Sequence, residues 1–218
     1  MQEKKATKEH PIFIESINFI QERLGPINMD PLERQVLHRL IHSSGDFEIQ
    51  KLLRFSPEAC SVGIEALNKG APIVTDTKMA EVGITSMASI TKASEVYCCL
   101  DYSGKHLDIH QTKTALGMDK LWKILCKKYS YPRAPIVLIG SSPTALIVLL
   151  DLVKEGICVA PSLIIGMPVG FIGVQESKTR LLESDLPFIV VDGSRGGAAL
   201  AAAAANALLK ISIENRLN

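Results

Sequence analysis

From Pro72 onward the chain alternates short β-branched runs with longer helical segments, and this rhythm constrains the fold more than any other feature of the sequence. Parallel strands need a crossover of about a dozen residues or more, which a helix supplies, so the alternation predicts βαβ units. Five strands are expected, centred on Ile73-Val74, Val96 to Leu100, Ile136 to Ile139, Leu163 to Ile165, and Phe188 to Val191. Helices are expected over Pro57 to Asn68, Thr112 to Lys127, Pro143 to Lys154, Val174 to Glu183, and Ala198 to Leu209. The runs Ile136-Val137-Leu138-Ile139 and Phe188-Ile189-Val190-Val191 are apolar without interruption, as strands covered on both faces should be. The expected fold is therefore α/β, a three-layer α/β/α sandwich around a mostly parallel five-stranded sheet, preceded by N-terminal helices.

Two such helices are signalled. Ile12, Ile14, Ile17 and Ile20 give the stretch from Pro11 to Arg23 an amphipathic pattern that Gly25-Pro26 ends. In the next, Asp30 caps, Pro31 suits the first turn, Glu33 completes a capping box, and Ser43-Ser44-Gly45 supplies the stop. Its apolar face runs through Leu32, Val36, Leu37, Leu40 and Ile41. The alanine-rich stretch Ala198 to Ala205 suits a helix packed closely on a sheet, since alanine is the best helix former and its side chain is small.

At 218 residues and 47% hydrophobic content the chain can bury a sizeable core, and it reads as one domain over 1–218. Lys and Arg number 24 against 23 Asp and Glu, a formal charge of +1, so no overall field draws it to nucleic acid or an anionic membrane. A small-molecule partner is favoured by elimination. The charged start, Met1 to Lys8, lacks the apolar core of a signal peptide. Pro143 and Asp151 cut the most apolar runs before they reach membrane-spanning length. The five cysteines, Cys60, Cys98, Cys99, Cys126 and Cys158, contain no CxxC pair and no zinc spacing, which fits reduced thiols in the cytoplasm. Cys98-Cys99, inside an apolar run, is read as core.

Ligands of open parallel sheets collect beyond the carboxyl ends of the strands. Three glycine-rich turns fall there: Gly140 to Pro143, Gly166 to Gly170, and Gly193 to Gly197. Each is expected to offer backbone N–H groups suited to carboxylates or phosphates. None carries the dinucleotide fingerprint or the lysine-containing phosphate loop, and the GxSxG serine of a hydrolase is missing. A nucleotide-dependent enzyme is the weaker alternative.

Of the histidines, His10 is expected to be solvated, and His106 and His110 flank a polar stretch. His38 and His42 stand four apart on one helix, where they could share a metal, yet no third ligand is evident. His42 also lies in the last helical turn, where the negative end of the helix dipole stabilises an imidazolium by about 0.3–1 kcal/mol. On the residues alone it stands open between a capping or packing role and proton donation.

The segment Arg39-Leu40-Ile41-His42-Ser43-Ser44-Gly45-Asp46 resembles the active-site stretch of the precorrin-8X and cobalt-precorrin-8 methylmutases. Thr75 to Ala80 with Gly83-Ile84, Gly166 to Phe171, and Glu176-Ser177-Lys178 extend the likeness over nearly the whole chain after Pro11. Ser141 stands where the family pattern has Asn, and Ala198 where it has Ser. The resemblance implies an isomerase that moves a methyl group from C-11 to C-12 of a tetrapyrrole macrocycle, giving hydrogenobyrinate or, in the cobalt form, cobyrinate. It implies His42 as general acid, Ser16 and Arg39 as substrate-binding residues, no cofactor or protein-bound metal, and a homodimer. The competing class is a corrinoid carrier that holds product without turning substrate over.

Overall fold

The computed structural model describes residues 10–93, 95–104 and 111–217. Helix α1 (Pro11–Leu24) begins at His10, whose Nδ1 accepts the Ile12 N–H at 3.3 Å. Helix α2 (Pro31–Ser44) is capped as its sequence predicts. Asp30 accepts the Leu32 N–H at 2.8 Å, and Gly45 closes the helix in the left-handed conformation, φ 68°, with its N–H on the Ile41 carbonyl. There follow α3 (Ile49–Leu52), β1 (Leu53–Phe55), α4 (Ala59–Asn68), β2 (Ile73–Thr75), α5 (Lys78–Ser89) and β3 (Val96–Cys98). The chain ends with α6 (Lys113–Lys128), β4 (Ile136–Ile139), α7 (Pro143–Lys154), β5 (Leu163–Gly166), α8 (Val174–Leu182), β6 (Phe188–Val191) and α9 (Ala198–Leu217).

Among the described residues the sheet has six strands in the order β1-β6-β5-β4-β2-β3, one more than the five expected. The added strand, β1, pairs antiparallel with β6 through Leu53↔Val191 and Phe55↔Ile189, while the expected five are parallel. Three residues behind a single helical turn are too few to establish a period of two, which is why β1 leaves no pattern in the sequence. Strand β3 is shorter than expected. After Cys98 the chain tightens into a 3-10 turn, Cys99–Tyr102, against α6 at Gly117, where any Cβ would collide with the Cys99 carbonyl.

Successive side chains of a strand point to opposite faces, and the core divides accordingly. Ile136, Leu138, Ile165 and Ile189 pack with α2, α4 and α9 on one side, whereas Val137, Ile139, Ile164 and Val190 pack with α6 and α7 on the other. The three-layer expectation holds. In the first layer α5 and α9 approach closely, because Gly83 leaves room that a Cβ, 2.8 Å from that of Ala202, would fill. Among the described residues no helix is long and apolar enough to cross a membrane.

The order reverses at β2, with β3 on one side and β4, β5 and β6 running away on the other. The carboxyl ends of the parallel strands carry the three glycine-rich turns, and α2 brings His42 in from outside the sheet through its packing on α9.

Candidate active site

The first turn is not the open anion site that its sequence suggests. Asp76, one residue past β2 and fully buried, accepts the N–H groups of Ser141 at 2.6 Å and Ser142 at 2.8 Å. The protein's own carboxylate thus occupies the N-terminus of α7 and bridges the ends of β2 and β4. Burial pushes the Asp76 pKa up, and the donated N–H bonds oppose that shift.

The other two turns brace each other. Gly197 N–H donates to the Met167 carbonyl at 2.8 Å and Gly170 N–H to the Ser194 carbonyl at 3.1 Å. Beneath them lies Lys178, with no exposed surface, donating to the carbonyls of Gly193 at 2.7 Å and Arg195 at 2.6 Å. Burial lowers its pKa to about 8, with Asp192 pulling the other way. Sequence reasoning assigned no role to Asp76 or Lys178, because their partners are backbone groups of distant turns. The signal that could have found them is that both lie in stretches carrying the family likeness, Thr75 to Ala80 and Glu176-Ser177-Lys178.

The three residues expected to form the site do converge. Helix α1 packs on α2 so that Ser16 Oγ lies 2.8 Å from His42 Nδ1. Phe13, one turn earlier on α1, sets its ring edge-on to the imidazole, with centroids 4.9 Å apart and planes at 77°. The Arg39 guanidinium stands 5.0 Å over the same phenyl ring. Phe13 therefore orders both polar groups, a role that its place in an apolar helical pattern concealed. Arg39, His42 and Ser43 line an open cavity of about 360 Å³. Its far wall is Gly83 of α5 with Ala202 and Asn206 of α9, where Asn206 donates to the Gly83 carbonyl at 2.8 Å.

His38 does not join this group. It is buried, and it lines a separate cleft with Gln21 and Arg34, its pKa lowered by burial and by the Arg34 charge. Among the described residues no three His, Cys, Asp or Glu side chains are grouped to hold a metal. His106 and His110 lie outside the described residues. Cys98 and Cys99 are buried, and burial pushes both thiols up in pKa, as core residues rather than nucleophiles.

Chemically, the arrangement offers a histidine and a guanidinium on the lining of an open cavity, with one imidazole nitrogen engaged by the Ser16 hydroxyl. The family model for precorrin-8X methylmutase matches residues 11–211. The cobalt-precorrin-8 methylmutase of Synechocystis sp. is 36% identical, covering 94% of this chain and 96% of that one. The precorrin-8X methylmutase of Pseudomonas aeruginosa is 38% identical, covering 78% and 80% respectively. Among solved structures, the precorrin-8X methylmutase of Thermus thermophilus superposes with a TM-score of 0.81 at 32% identity, covering 94% of this chain and 99% of that one.

Proposed function

The chain belongs to the precorrin-8X methylmutase family, isomerases that catalyse a methyl migration in cobalamin biosynthesis, and from that premise we propose that His42 is the general acid and that Ser16 and Arg39 bind and orient the macrocycle. The observation that carries the reading is the 2.8 Å contact between Ser16 and His42 at the edge of an open cavity. With Nδ1 engaged by Ser16, Nε2 is the nitrogen left for a ligand.

The substrate on this reading is precorrin-8X or its cobalt form, and the methyl group moves from C-11 to C-12. Any cobalt arrives inside the substrate. The migration is intramolecular, so the protein supplies no group and no electrons. Its contribution is to hold the macrocycle, make its π-system electron-poor by protonation, and complete the product tautomer. A protonated His42 donates Nδ1–H to Ser16 Oγ and Nε2–H to the macrocycle. After the migration the neutral ring, in the Nδ1–H tautomer donating to Ser16, takes a proton back from the macrocycle at Nε2, which completes the product tautomer and restores the acid. Arg39, held over Phe13, is placed to pair with a peripheral carboxylate.

A macrocycle is larger than one open cavity encloses, which supports a homodimer whose second copy covers the bound substrate. Exposed apolar residues flank the cavity in sequence and give such a face its chemistry: Ile12 beside Phe13, and Val82 beside Gly83. The cytoplasmic setting belongs to the same reading and is supported by an odd number of cysteines without the spacing of a disulfide framework. Incubation with enzymatically prepared precorrin-8X, followed by absorbance, tests the activity. Conversion to a corrin chromophore is expected, whereas binding of added product without turnover of substrate would leave a carrier. Light scattering at micromolar concentration tests the dimer.

A further inference from the structure

A second arginine, Arg195, precedes by four residues Ala199 of the wall of the cavity beside His42. Arg195 lies in the turn between β6 and α9, and α9 begins three residues later with the alanines that form the cavity wall. Asp46 follows the Gly45 cap of α2, four residues beyond His42. Arg195 Nη1 and Asp46 Oδ2 are 2.9 Å apart, with side-chain exposures of 49% and 34%. The pair therefore joins the chain just after α2 to the turn just before α9, two of the three helices that line the cavity, and it does so in contact with solvent.

Neither residue depends on the other for its place. Asp46 Oδ1 accepts the Glu48 N–H at 2.9 Å, and the Arg195 backbone is fixed from below by Lys178 on its carbonyl. A solvent-exposed ion pair of this kind contributes little to folding. It does hold the guanidinium toward the C-terminal end of α2, and a planar fork of this kind suits a carboxylate taken through two parallel hydrogen bonds.

We propose that Arg195 is a docking residue for a peripheral carboxylate of the corrin substrate and that Asp46 is its intramolecular place-holder, displaced when the substrate binds. The inference rests on the reading of this cavity as the macrocycle site. It adds a contact from the β6–α9 turn to the one proposed for Arg39 on α2. Asp46 competes with the substrate for one guanidinium, and the two partners of the ion pair must then act on affinity in opposite directions. A pair that only held α2 to the turn would act in one direction.

The test is the dissociation constant for hydrogenobyrinate, read from the absorbance of the bound corrin, in wild type, Arg195→Ala and Asp46→Asn. R195A is expected to weaken binding about tenfold or more, through loss of a charge-assisted contact. D46N is expected to tighten it by about two- to fivefold, the worth of an exposed pair. Both differences should disappear with the same macrocycle carrying its carboxylates as methyl esters. Should R195A fail to fold by circular dichroism, R195Q carries the same expectation. An unchanged affinity in R195A, or weakening in both variants, overturns the assignment of Arg195 while leaving the cavity's function standing. Failure of the wild-type protein to bind the corrin at all overturns both.

Discussion

Ser16 Oγ and His42 Nδ1 lie 2.8 Å apart, joined across the packing of α1 on α2 by residues twenty-six positions apart in the chain. The hydroxyl fixes which imidazole nitrogen is engaged, and Phe13 fixes the plane of the ring. Ser16→Ala should therefore loosen the orientation of His42 without removing the acid. The expected loss in kcat is about two- to tenfold, the worth of one hydrogen bond, with a smaller change in KM. Steady-state kinetics beside wild type checks it, and an unchanged kcat would detach Ser16 from the chemistry.

His42→Asn should abolish most turnover, since positioned general acids contribute about a hundred- to ten-thousand-fold. His42 is exposed and belongs to neither hydrophobic cluster, so the fold should survive. Binding of hydrogenobyrinate should survive with it. Single-turnover absorbance traces give the rate. A variant keeping more than about a tenth of wild-type turnover falls outside the range for an acid and returns the residue to a packing role.

Arg39→Ala should weaken substrate binding more than it slows the bound reaction, because a peripheral carboxylate is held in ground and transition states alike. The expected cost is about 1.5–3 kcal/mol for a charge-assisted pair. The same change removes one of the two cations over Phe13, the other being Lys210, so His42 should also be slightly less ordered. An unaltered KM and dissociation constant would remove Arg39 from the site.

Where the sequence was legible, one local rule sufficed. The five parallel strands announce themselves through unbroken apolar runs, and α2 through a cap, a proline and a closing glycine that all point to the same helix. Helix α5 was not among the expected elements. Its outward face carries Met79 and Val82, 70% and 74% exposed, which blur the helical period set by buried Ala80, Ile84 and Ala88. Strand β1 was too short to show a period at all. At the site, His42 could be singled out because its position on a helix end is local information. That Ser16 would meet it, that Phe13 would stand between it and Arg39, and that Asp76 would fill the first turn are consequences of packing, and no local pattern encodes them.

Lys178 makes the stability of the site turns depend on pH. Burial lowers its folded-state pKa from the ordinary 10.5 to about 8. Between those values the unfolded chain binds more protons than the folded one, so folding becomes more favourable as pH rises through the window. The contribution is complete above the unfolded-state pKa and is lost as pH falls through the folded-state pKa. A neutral amine has two N–H groups, matching the two carbonyls of Gly193 and Arg195 that it serves. Lys178→Met removes the titration and both bonds. The urea midpoint of wild type relative to K178M should therefore rise from pH 8 to pH 10 and stay level from pH 6 to 7. Taking the difference cancels every titration that the two proteins share. A difference that is flat across the whole range would mean that Lys178 keeps its charge in the folded protein, with its third N–H satisfied as well.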